Sequence, residues 1–86
     1  MEKEYIIAFS SFYKAAYAQD MLEEAGVKST LRKLPTELIR SCGTGIYLKT
    51  SDIREAQSVF EKKQISVRGI YEIRVQEHGR KKYVKA

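Results

Sequence analysis

One cysteine in 86 residues, Cys42, is the side chain best suited to nucleophilic chemistry. A cysteine attacks only as its thiolate, so its neighbours decide whether it reacts. Arg40 stands two positions before it, Ser41 immediately before it, and Gly43-Thr44-Gly45 immediately after it. Arg32, Lys33 and Lys49 are the next cations along the chain. Nearby positive charge favours the thiolate, and two glycines permit a tight turn whose backbone N–H groups converge on an anion. A helical turn over residues 36–40, which Pro35 would tolerate near its start, acts the other way. It would set Cys42 at the negative end of a helix dipole. Activation therefore falls to Arg40 and the Gly43–Gly45 turn. A lone cysteine is also commonly a small buried hydrophobe. The polar, flexible flanks Ser41 and Gly43-Thr44-Gly45 weigh against that role without deciding it.

Other chemistries find little footing. A single cysteine cannot form an internal disulfide, and one cysteine with one histidine, His78, falls short of a structural zinc set. His78 has no carboxylate fixed near it by spacing, and a satisfied or solvated imidazole is the simpler reading. A Cys42–His78 dyad would need the end of the last strand to reach the centre of the chain. Glu37 is nearer in sequence, but a carboxylate beside the thiol opposes the thiolate. Gly43 and Gly45 are not followed by the lysine-serine or lysine-threonine pair of a phosphate loop. No cofactor and no metal is implied, and a carrier or binding protein fits these residues better than a catalyst.

The elements that must position Cys42 follow from composition and period. Eighty-six residues make one domain, and the longest apolar run, Tyr5-Ile6-Ile7-Ala8-Phe9, has the length of a strand and not of a membrane span. The charged start Met1-Glu2-Lys3-Glu4 does not read as a secretory signal, so the expected location is the cytoplasm. Charge is uneven: residues 1–26 carry −3, residues 27–50 carry +4, residues 51–79 balance, and residues 80–86 carry +4. Such a field attracts an acidic protein face or a phosphate backbone, or simply solubilises a tail.

Tyr5 to Phe9 reads as a central strand, apolar on both faces. Ser10-Ser11 offers an N-cap, and Ala15, Ala18, Leu22 and Ala25 then recur at helical spacing until Gly26. Residues 27–32 alternate as a strand that Pro35 stops. Residues 46–50 read as a third strand. Ser51-Asp52 opens a second helix with Ile53, Ala56 and Phe60 on its buried side, and residues 69–75 alternate as a fourth strand. The order β-α-β-β-α-β predicts an α+β, ferredoxin-like fold: a four-stranded antiparallel sheet with two helices on one face and an elaborated connection between the second and third strands. The domain is expected to span residues 1–76, with residues 77–86 a frayed or extended basic tail.

Pro35, six intervening residues, then Cys42-Gly43 with Ser41 before the cysteine resembles the signature of the DUF3343 family of selenium/sulfur carrier-like small bacterial proteins. The likeness extends to Ile7-Ala8-Phe9-Ser10-Ser11, the alanine-rich helix after it, and Ala25-Gly26-Val27, and covers roughly residues 4–75. The resemblance implies that Cys42 carries sulfur or selenium as a persulfide or selenylsulfide. Its donor would be a protein such as a cysteine desulfurase, and its acceptor another protein. A chain without a second thiol suits that role, because a resolving cysteine would discharge the cargo by forming a disulfide.

Two other readings of the same frame stand beside it. A ferredoxin-like sheet can bind single-stranded nucleic acid through aromatics on its strands, here Tyr5, Tyr47 and Tyr71 with the basic tail. The run Gly45-Ile46-Tyr47-Leu48-Lys49 lacks the glycine-aromatic pattern of the RNA-recognition modules. Small domains of this kind also pair through sheet edges or faces as regulatory modules, so a homodimer is a further expectation.

Overall fold

A computed structural model of the chain describes residues 2–35, 38 and 43–86. Strand β1 (Lys3–Ala8) is followed by helix α1 (Phe12–Glu24), β2 (Thr30–Lys33), β3 (Thr44–Thr50), α2 (Arg54–Lys62), β4 (Gly69–Val75) and β5 (Lys81–Lys85). The strands form one antiparallel sheet in the order β2-β3-β1-β4-β5. The sheet thus has five strands and not the expected four. Residues 81–85, expected in a loose tail, pair with β4 in the register Ile73–Tyr83. Lys81, Tyr83 and Lys85 alternate with Lys82 and Val84, which is the period of a strand and not of a solvated charge run. A short 3₁₀ turn, Glu77–Gly79, makes the bend between β4 and β5, with His78 at φ 65° and Gly79 at φ 75°.

The central strand has the predicted double burial. Tyr5, Ile7 and Phe9 point to one face, and Ile6 and Ala8 to the other, and all five are buried. On the first face they meet Ala15, Ala18 and Leu22 of α1 and Ala56 and Phe60 of α2, together with Ile46, Leu48 and Ile70. Alanines let α1 lie close to the sheet, and the Phe9 and Phe60 rings meet edge to face at 6.0 Å. Ser11 caps α1 by accepting a hydrogen bond from the Lys14 amide at 3.2 Å. The helix closes where Gly26 takes φ 81° and the Val27 amide reaches the Leu22 carbonyl at 2.8 Å. Ala25, expected on the buried side, is the exposed C-cap. At the start of α2, Asp52 accepts from the Arg54 amide and from the Arg54 side chain. The Arg54 guanidinium is the main reason that the Asp52 carboxyl is held below its ordinary range.

Neither α1 nor α2 covers the opposite face. Ile6 and Ala8 are covered there by Leu34 and Leu38, with Tyr71, Ile73 and Tyr83 packed beside them. Leu34 and Leu38, from the connection between β2 and β3, therefore supply part of the cover of this second face.

Candidate functional site

The segment that follows β2 is fixed at its two ends by backbone and packing. Lys33 pairs with Thr44, and Arg32 pairs with Gly45. Beyond the last pair the Leu34 amide donates to the Gly43 carbonyl at 2.7 Å, and the Leu38 amide donates to the Pro35 carbonyl at 2.9 Å. Leu34 and Leu38 are buried, with 4% and 8% of their surfaces exposed, against Ile6 and Ala8. The stem thus reads directly from sequence: an alternating strand stopped by Pro35, two leucines that need burial, and glycines where the chain returns.

Of the predicted site residues, Arg40, Ser41 and Cys42 lie outside the described residues, as does the expected helical turn at 36–40 apart from Leu38. Gly43, Thr44 and Gly45 are described. Thr44 and Gly45, expected in a turn, are the first two residues of β3. Gly45 is buried because two pieces of chain meet over it. A Cβ there would stand 2.5 Å from the Ile7 carbonyl oxygen and 2.5 Å from Leu34 Cδ2. The glycine therefore serves close approach of β1 and the crossing segment. Gly43 has open space where a Cβ would lie. Cys42 is joined to it by one peptide bond, directly before the residue whose carbonyl closes the stem.

Positive charge gathers on the face that Leu34 and Leu38 cover. A cleft of about 300 Å³ is lined by Leu34 and Pro35 from the segment and by Arg32, Lys33 and Lys81. A second cavity, of about 420 Å³, lies where Leu38 meets Ala8, Arg68, Tyr71 and Lys85. The Arg32 guanidinium lies 3.9 Å from the centre of the Tyr47 ring. The Tyr47 hydroxyl donates to the Glu4 carboxylate, and this bond, with partial burial and the negative charge of Glu4, raises the phenol above its ordinary value. Of the three tyrosines expected on strands, Tyr5 belongs to the helix-covered core, while Tyr47 and Tyr71 lie on the other face with Ile6 between them in register. Arg68, Lys81, Tyr83 and Lys85 were not among the predicted site residues. The alternation from Lys81 to Lys85 was the signal that places three of them on one side of a strand. His78 is exposed in the turn before β5. Among the described residues no group of three or more His, Cys, Asp or Glu is placed to hold a metal. No helix of the described residues is long and apolar enough to cross a membrane.

These features define a small α+β protein whose single cysteine falls, in sequence, in the β2–β3 connection, of which Leu34 and Leu38 pack on one sheet face. Residues 4–72 match the family described as "Putative Se/S carrier protein-like", and the chain belongs to that family. No curated protein and no solved structure matches it.

Proposed function

We propose that this protein carries one sulfur or selenium atom on Cys42 and hands it to an acceptor protein. The observation that supports this most strongly is the family match, whose span of residues 4–72 includes the only cysteine in the chain. The frame for this task is a ferredoxin-like βαββαβ unit made by β1 to β4 with both helices, to which β5 is added. In the loading step the Cys42 thiolate attacks the terminal sulfur of a protein persulfide on the donor, such as a cysteine desulfurase. A new S–S bond forms on Cys42, the donor's S–S bond breaks, and the donor leaves as thiolate. The sulfane atom keeps its oxidation level, so loading needs no external oxidant. The selenium form is the selenylsulfide built in the same way. In unloading, a nucleophile on the acceptor takes the outer atom and Cys42 returns as thiolate. Arg40 and the chain from Ser41 to Gly45 support the thiolate, and the cytoplasm keeps it reduced.

The test is mass spectrometry of the intact chain after incubation with a cysteine desulfurase and cysteine. A gain of one sulfur that vanishes on reduction and is absent in Cys42→Ser is the expected result. A Cys42 that alkylates only after denaturation, and gains no sulfur while folded, would overturn the proposal.

A further inference from the structure

The carrier chemistry needs Cys42 and its flanks, yet the open sheet face holds more than those. The cleft of about 300 Å³ has an apolar floor of Ile6 and Ile73 and two aromatic sides, Tyr47 and Tyr83. Arg32, Lys33 and Lys81 stand around it, all exposed. None of the ion pairs among the described residues involves these three cations. No acidic residue lines the cleft among the described residues, and Glu4 accepts from the hydroxyl of Tyr47, one of its walls. Its size is at the lower end of ligand sites, that of a ligand with one flat ring system and a charged group. A bare phosphate would leave the apolar floor and both rings unused. The Arg32 guanidinium over Tyr47 already forms a flat layer of the kind on which a nucleobase stacks.

The neighbouring cavity repeats this chemistry. There Ala8 and Leu38 are apolar, Tyr71 is the ring, and Arg68 and Lys85 bring positive charge. Tyr47 and Tyr71 both pair with Ile6 in register, so the two rings sit on the same face with one strand between them. Two cavities on one sheet face with the same pattern of ring, apolar floor and cation suit successive units of one chain better than one free nucleotide. We propose that this face binds single-stranded nucleic acid, with one base against the Arg32–Tyr47 layer and Tyr83, the next at Tyr71, and the phosphates on Lys33, Lys81 and Lys85. This inference is independent of the chemistry assigned to Cys42.

The experiment is fluorescence anisotropy with labelled eight-nucleotide oligouridylate and oligoadenylate. A duplex of matching length, uridine monophosphate and inorganic polyphosphate are the competitors. The expected result is single-strand binding that weakens as salt rises and is competed poorly by duplex, mononucleotide and polyphosphate. Tyr71→Ala and Tyr83→Ala are expected to lower single-strand affinity roughly five- to a hundredfold each, and Tyr83→Phe to retain it. Arg32→Ala and Lys81→Ala should weaken binding and flatten the salt dependence, and Cys42→Ser should bind as the parent does. Because Tyr83→Ala loosens the packing near Ile6, the circular dichroism of each variant is compared, and the Lys81 variant tests the site without touching the core. Polyphosphate competing as well as the oligonucleotide would overturn the proposal. So would tyrosine variants that bind undiminished, tight binding of uridine monophosphate alone, or no binding at 50 mM salt.

Discussion

The two faces of the sheet are covered by different means although one strand supplies the middle of both. Tyr5, Ile7 and Phe9 meet two helices in a cluster of aliphatic and aromatic side chains. Ile6 and Ala8, one step away on the same strand, meet Leu34 and Leu38 from a connecting segment and tyrosines from β4 and β5. A helix covers a sheet with a continuous apolar stripe and satisfies its own backbone. On the second face the described cover is single side chains, Leu34 and Leu38 among them. Two cavities lie beside them. One face is thus closed by helices, and the other keeps room for ligands.

The same substitution made on both faces tests this contrast with the largest effect. Leu22→Ala, in the helix-covered core, is expected to cost about 4–5 kcal/mol, and Leu38→Ala about 2–3 kcal/mol, in urea denaturation. Leu22 is 0% exposed and its cavity has no route to water, whereas Leu38 borders an existing cavity. Equal losses would break the contrast. Two glycines sharpen it at the next level. Gly45→Ala forces a Cβ against the Ile7 carbonyl and Leu34 and should cost about 1–3 kcal/mol, whereas Gly43→Ala should stay within about 0.5 kcal/mol. The comparison is read from denaturation midpoints.

The smallest effect is a pH dependence confined to the open face. The Tyr47 phenol is raised above its ordinary value of 10.0, first by its hydrogen bond to Glu4 and then by burial. Folding thus favours the protonated phenol, so the stabilisation is complete below the unfolded value and is lost as pH rises through the folded one. Tyr47→Phe is expected to lower stability by about 1 kcal/mol at pH 7. The gap to the parent should narrow above about pH 10 in thermal unfolding, since unfolded tyrosine ionises there. A gap that grows with pH would mean that the Tyr47–Glu4 bond is not its source.

Much of this was legible in the chain because period reports burial. The double burial of Tyr5 to Phe9, the alanine face of α1, its Ser11 cap and the Gly26 exit all follow from residue types at fixed spacings. The fifth strand was obscured because Lys81, Lys82 and Lys85 lower the apolar content of a segment that carries only Tyr83 and Val84 in return. Its pairing comes from β4 and not from its own hydrophobicity, and tertiary pairing is what local pattern cannot report. Gly45 was assigned to a turn from its freedom of φ, but its constraint is the approach of Ile7 and Leu34, which are distant in sequence. At the candidate site, the charge near Cys42 was visible as Arg32 and Lys33. Arg68, from the entrance to β4, was not, since nothing local links it to the central segment.

The added strand also settles what the sheet offers at its margins. An open sheet ends in two rows of unpaired amides and carbonyls, which invite other chains to extend it. Here one margin is β2, only four residues long and bounded by Pro35. The other is β5, where three of five residues are lysines, so a second copy arriving in register would set like charges against like. The basic end of the chain thus doubles as a guard against runaway sheet growth, the hazard that accompanies any small protein built around an exposed strand.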